Sequence, residues 1–242
     1  MGPLKKATKM VASLDNRETA KNKPAGAFTA FRKRTITAKE FAIALGAIAA
    51  QTPTFYKVWV RHELDPAFRE ELMLAVAKLN ECKYCSWAHH EWATIDGVPQ
   101  EELAQIEQMD PVSFDRKKWL AISYVRELVS ARFGPVSADL EKKMRQHYIT
   151  KEVAEILLVA KVMDAANLGA NTFDAMRWRL RGKPVKGSRL YDEVMLSAAF
   201  FCIVPPVVLF LARASKRSVR ELAASLLDYT KRMDAEQQSP AH

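Results

Sequence analysis

The stretch "DPAFREELMLAVAKLNECKYCSWAHHEWA", residues 65–93, decides how the chain folds. Asp65-Pro66 is a helix-start pair, since proline is pre-set for a first helical turn and lacks the N–H that would go unpaired there. From it Phe68, Leu72, Ala75, Val76 and Leu79 recur on one helical face, and Asn80 is a stop. If the chain is helical again from Glu81, then Cys82, Cys85 and His89 fall at i, i+3 and i+7 on one face, while His90 points elsewhere. Two antiparallel helices joined at residues 80–81 would oppose Glu70 to His89, with Glu71 and Glu63 as the fallback carboxylates.

Working outward, the same helical spacing holds almost everywhere from about residue 37, and no alternating run with hairpin turns argues for a sheet. The predicted class is all-α. Thr37 caps "TAKEFAIALGAIAAQ", and Pro53 fits a first turn in "TPTFYKVWVRHEL". Gly97 and Pro99 separate two further helices, and Gly134-Pro135 ends the long one over "SFDRKKWLAISYVRELVSARFG". Ser137 caps the next helix, and Thr150 caps "TKEVAEILLVAKVMDAANLGANTFDAM", with Glu152 in its first turn. The basic piece "RWRLRGKPVKGSR" is a linker. The organisation expected is a basic tail over 1–36, a helical core over 37–180 and a helical extension over 188–236.

That extension opens with "MLSAAFFCIVPPVVLFLA", residues 195–212, which carries no charge and nearly matches the length of a membrane span. Pro205 and Pro206 fall in its middle, where adjacent prolines end one buried helix and begin another. The expectation is therefore a core or subunit interface, with Cys202 as inert buried packing. Arg213, Lys216, Arg217 and Arg220 directly after the run keep membrane association as the alternative.

The formal net charge of +9 points to nucleic acid only if it is spread over the fold. It is not. Residues 1–35 hold nine basic side chains against Asp15 and Glu18, which leaves a net +2 for everything after. This tail has no apolar periodicity and reads as disordered or loosely attached; nucleic acid is not the expected partner, because aromatic interleaving and a recognisable module are both missing. The start of the chain lacks the apolar run of a secretory signal, and three cysteines are too few for a disulfide scaffold. The expected location is the cytoplasm, where a cysteine pair is catalytic or metal-binding rather than structural.

One turn separates Cys85 from His89, so the imidazole can take the thiol's proton, and Cys82 lies near a helix N-terminus with its unpaired N–H groups. Both effects favour thiolate, so one thiol is expected to have a depressed pKa. A zinc site could draw on Cys82, Cys85 and His89, but structural zinc wants a fourth ligand, which adjacent His90 cannot easily supply. A thioredoxin-type enzyme is disfavoured because no βαβ pattern precedes the cysteines.

Glu70, Cys82, Cys85 and His89 together read E-x11-C-x2-C-x3-H. On an all-helical background this resembles the alkylhydroperoxidase D-like (AhpD-like) branch of the carboxymuconolactone decarboxylase superfamily, and the likeness extends weakly through "ITKEVAEILLVAKVMDAANLGANTFDA" to cover about residues 40–178. The resemblance implies a helical subunit assembling into trimers or hexamers and a thiol-dependent peroxidase. It implies that Cys85 carries the sulfenic acid, that Cys82 donates a proton and then closes the disulfide, and that Glu70 and His89 form a proton relay. The substrate would be a hydroperoxide and the reductant a lipoamide- or thioredoxin-like dithiol, with no metal or organic cofactor. Tyr84 departs from the pattern, standing where well-known members carry a histidine. The enzyme alternative is a lactone decarboxylase, but those members of the superfamily lack the cysteine pair.

Overall fold

The structure is a computed structural model that describes residues 31–236 except 111 and 113. The chain divides into Met1–Arg32, of which only Phe31 and Arg32 are described, and Lys33–His242. The second unit holds ten helices and no strand among the described residues. They are α1 (Ala38–Ala49), α2 (Thr52–Trp59), α3 (Pro66–Leu79), α4 (Lys83–Ile95), α5 (Gln100–Gln108), α6 (Arg116–Ser130), α7 (Ala138–His147), α8 (Thr150–Leu180), α9 (Leu190–Ser215) and α10 (Val219–Glu236).

Local chemistry sets the starts of these helices. Thr37 and Glu40 form a reciprocal capping box, with Glu40 N–H donating to Thr37 Oγ1 at 3.2 Å and Thr37 N–H to Glu40 Oε2 at 3.0 Å. Asp65 accepts from the Phe68 N–H at 2.8 Å, ahead of Pro66 in the first turn. Thr150 is the first residue of α8 rather than its cap; Ile149 holds the cap position, and Glu152 accepts its N–H at 2.8 Å.

Helix α3 is the centre of the core. Every residue from Phe68 to Ala77 is buried, because α4, α5, α6 and α8 pack around it. The 31-residue α8, about 46 Å long at 1.5 Å per residue, is the spine on which α1, α3 and α9 lie. Gly169 lets two of them approach: a Cβ there would stand 3.3 Å from Phe41 of α1 and 3.5 Å from Leu196 of α9. A second, smaller cluster of Trp87, Leu211, Leu222, Tyr229 and Met233 fastens α9 and α10 against α4.

Three expectations change here. The basic-tail reading lies outside the described residues for 1–30, but at 33–36 the chain is docked. Lys33 bonds Asp174 at 2.9 Å with 6% of its side chain exposed, Arg34 reaches Asp164 at 3.0 Å, and the Ile36 N–H donates to Thr172 Oγ1 at 2.9 Å. Buried Asp164 and Asp174 on α8 demand cations, and this segment supplies them. Next, Pro205 and Pro206 do not split the apolar run, since α9 passes through both. Leu196 on one side of them and Leu211 on the other are both buried, so each half is anchored and the rod is held across the missing hydrogen bonds. Finally, the run is not buried within the chain: Phe201 and Phe210 are each 64% exposed, and Cys202 is exposed rather than inert packing.

Candidate active site

The α3–α4 turn carries the cysteines. Asn80, buried, donates to Asp164 Oδ1 at 2.9 Å, while its carbonyl accepts from the Asn171 amide at 2.8 Å, so α8 fixes the turn from below. Glu81 takes a positive φ of 54°, which turns the chain sharply enough for a new helix to start at Lys83. Cys82 is the cap of that helix, and its Sγ accepts the Cys85 N–H at 3.3 Å. Cys82 has no exposed surface; Cys85 is half-buried.

Glu70 and His89 meet across the α3–α4 interface, with Glu70 Oε2 and His89 Nδ1 2.6 Å apart. The carboxylate's other oxygen is held by Arg69, whose Nε and one terminal nitrogen each lie 2.9 Å from Oε1. Glu70 is 4% exposed. Burial pushes its carboxyl up, but His89 and Arg69 outweigh it and hold the group below the usual carboxylate range. A carboxylate on Nδ1 directs that nitrogen's proton toward itself, leaving Nε2 as the nitrogen able to accept one.

At Cys85 the electrostatics run opposite to a depressed pKa. Burial pushes the Cys85 thiol well above its ordinary value, the Cys82 thiol beside it adds to the rise, and the backbone N–H and Lys33 only partly oppose it. The helix start was legible in the sequence, but desolvation, which depends on the packed fold, outweighs its backbone N–H at Cys85.

A second ionic cluster flanks the dithiol turn. Asp174 on α8 gathers Lys33 at 2.9 Å, Lys83 at 3.4 Å and Arg177 at 3.3 Å, and Tyr84 Oη donates to it at 3.2 Å. Burial pushes Asp174 up, but Lys33 and Lys83 win and hold it below the usual range. Tyr84 is pushed upward by burial and by Asp174, so it stays a neutral phenol. Its ring packs on Phe173 and Phe200 at 5.7 and 5.3 Å, which makes it a fixed aromatic post rather than a titrating group.

The fallback carboxylates lie elsewhere. Glu71, fully buried, bonds Lys118 at 2.8 Å and is pushed up to about 8 by burial and by Glu102. Glu63 pairs with Lys151 and Arg61. His90 faces Glu107 at 3.2 Å, away from the cysteines. Among the described residues no group of three or more His, Cys, Asp or Glu side chains could hold a metal ion.

Sequence reasoning passed over Arg69, Lys33, Asp174 and Arg177. A charged triplet, Arg69-Glu70-Glu71, inside an otherwise apolar helical run was the available signal for the first. The others come from segments about 50 and 90 residues away and have no local signature. Residues 30–127, which include Glu70, Cys82, Cys85 and His89, match the model of the carboxymuconolactone decarboxylase family. That agrees with the resemblance read from the residues, at the level of the superfamily. No curated protein matches the chain.

Proposed function

We propose that this chain, whose residues 30–127 match the model of the carboxymuconolactone decarboxylase family, is a dithiol peroxidase that reduces hydroperoxides by cycling Cys82 and Cys85 between thiols and a disulfide. The observation that carries the reading is the 2.6 Å Glu70–His89 pair one helical turn beyond Cys85. A histidine–carboxylate pair alone would also serve a lactone decarboxylase. A capping thiol that already accepts its partner's N–H at 3.3 Å has no use in that reaction and a direct one in a redox cycle.

In the proposed cycle His89 Nε2 accepts the Cys85 proton, while Glu70 holds the imidazole and stabilises the imidazolium. The histidine is needed because Cys85 is pushed up by burial and would otherwise remain a thiol at neutral pH. The Cys85 thiolate attacks the outer oxygen of the hydroperoxide, the O–O bond breaks, and the departing alkoxide takes up a proton to leave as alcohol. Cys85 is then a sulfenic acid. The Cys82 sulfur attacks it, water leaves, and the Cys82–Cys85 disulfide forms; a dithiol reductant restores both thiols by exchange.

The test is consumption of hydrogen peroxide and of an organic hydroperoxide, with dihydrolipoamide or dithiothreitol as reductant. Wild type should turn over and Cys85→Ser should not. Equal consumption by the two proteins overturns the proposal.

A further inference from the structure

The apolar run of α9 takes no part in the proposed chemistry, and the described residues leave most of it uncovered. Helix α9 has 26 residues and is long and apolar enough to cross a membrane, yet only 17% of its apolar window is buried. Met195, Phe201, Ile203, Leu209 and Phe210 are between 47% and 64% exposed. The opposite stripe, with Leu196, Leu211 and Ala212, is packed on the protein.

Charge frames this face at both ends. Residues 177–220 contain ten basic side chains and only two acidic ones, Asp192 and Glu193. Both acids are buried: Asp192 accepts the Ala38 N–H at 2.8 Å, and Glu193 is held by Arg179. The charge displayed to solvent along the stretch is therefore positive, from Arg181, Lys183, Lys186 and Arg189 before the helix and Arg213, Lys216 and Arg220 at and beyond its C-terminal end, all exposed.

We propose that this face of α9 is a binding surface for an anionic lipid bilayer, on which the helix lies in the plane of the interface. The inference is independent of the peroxidase reading. An apolar face with cationic ends is what a headgroup boundary accommodates, the apolar side chains entering the acyl region and the basic ones meeting lipid phosphates. A second copy fits less well. Pairing α9 with α9, parallel or antiparallel, sets a basic end against a basic end in either orientation. Spanning is also opposed, because α9 packs on α8, whose Lys161, Asp164 and Asp174 would have to follow it.

The experiment is co-sedimentation of the full-length chain with vesicles of phosphatidylcholine alone and of phosphatidylcholine mixed equally with phosphatidylglycerol. Binding is expected to the mixed vesicles only and to weaken with salt. Each basic residue near an anionic surface contributes roughly fivefold in affinity, so Arg213→Gln/Lys216→Gln/Arg220→Gln should lower partitioning roughly a hundredfold. Phe201→Asp/Phe210→Asp should abolish it; both positions are exposed, and circular dichroism checks that the fold is kept. The proposal is overturned if the chain ignores both vesicle types, or binds both alike with the charge variant unaffected. It is also overturned if the bound protein resists high salt and carbonate and needs detergent, which is spanning. Light scattering supplies the last refutation: an oligomer that Phe201→Asp dissociates, without vesicle binding, makes the face a subunit contact.

Discussion

Glu70→Gln removes one charge from the Arg69–Glu70–His89 arrangement while keeping its shape, and it separates catalysis from packing. In the wild type one carboxylate oxygen accepts from His89 and the other from Arg69. The amide nitrogen of glutamine can donate to His89 Nδ1, which moves the imidazole proton to Nε2 and disables the nitrogen meant to accept from Cys85. Positioned acid–base groups contribute roughly 10²- to 10⁴-fold, so peroxide turnover should fall by that order. Stability should fall as well, since among the described residues Arg69 keeps only Asp96 at 3.5 Å as an anionic partner. Breaking a buried pair costs about 3–5 kcal/mol. With Asp96 retained the lower end applies, about 3 kcal/mol, or a fall of roughly 6–12 °C in Tm for a chain of this size. The assay is initial-rate peroxide consumption below that melting point, beside thermal unfolding by circular dichroism. Turnover within about threefold of wild type would remove Glu70 from the mechanism, and an unchanged Tm would refute the account of Arg69.

Further outcomes follow from the same geometry. In a Cys202→Ser background, alkylation of Cys85 should keep rising with pH beyond the ordinary thiol value of about 8.5, because a pKa raised by burial lowers the thiolate fraction at every pH beneath it; a plateau below that value would contradict the direction. In the native wild type, exposed Cys202 should be alkylated before fully buried Cys82, as peptide mapping after brief labelling would show. Glu71 is pushed up to about 8, so the folded state binds a proton that the unfolded state has lost from about pH 4.5 upward. Its contribution to stability is therefore fully present below the unfolded value and lost as pH rises through the folded one, with a slope of at most about 1.4 kcal/mol per pH unit. Urea titrations should show Glu71→Gln without that part of the pH dependence.

Much of this was legible in residues 65–93. Asp65-Pro66, the apolar stripe through Leu79 and the i, i+3, i+7 placement of Cys82, Cys85 and His89 are local facts, and the antiparallel packing of α3 on α4 follows from the short turn between them. Glu70 could be matched to His89 because both are counted from that turn. What the sequence withheld depends on distant segments. The docking of Lys33 on Asp174 spans 141 residues, and the rise in the Cys85 pKa depends on how closely the helices pack. The prolines misled for a different reason: their local penalty is real, but burial of Leu196 and Leu211 on either side of them keeps α9 in one piece. The fate of the apolar run also could not be read from its composition, since a core helix and an uncovered one have the same hydrophobicity.

The central claim is that Cys85 and Cys82 form one redox unit, and a single measurement addresses it most directly. Reduced protein is treated with one equivalent of an organic hydroperoxide, quenched by alkylation and mapped by mass spectrometry, in wild type and in Cys82→Ser with dimedone present. The account predicts an intrachain Cys82–Cys85 disulfide in the wild type, a dimedone adduct on Cys85 in the variant, and Cys202 recovered as the alkylated thiol. Wild-type protein in which Cys82 and Cys85 are both recovered as alkylated thiols while the hydroperoxide persists would contradict it.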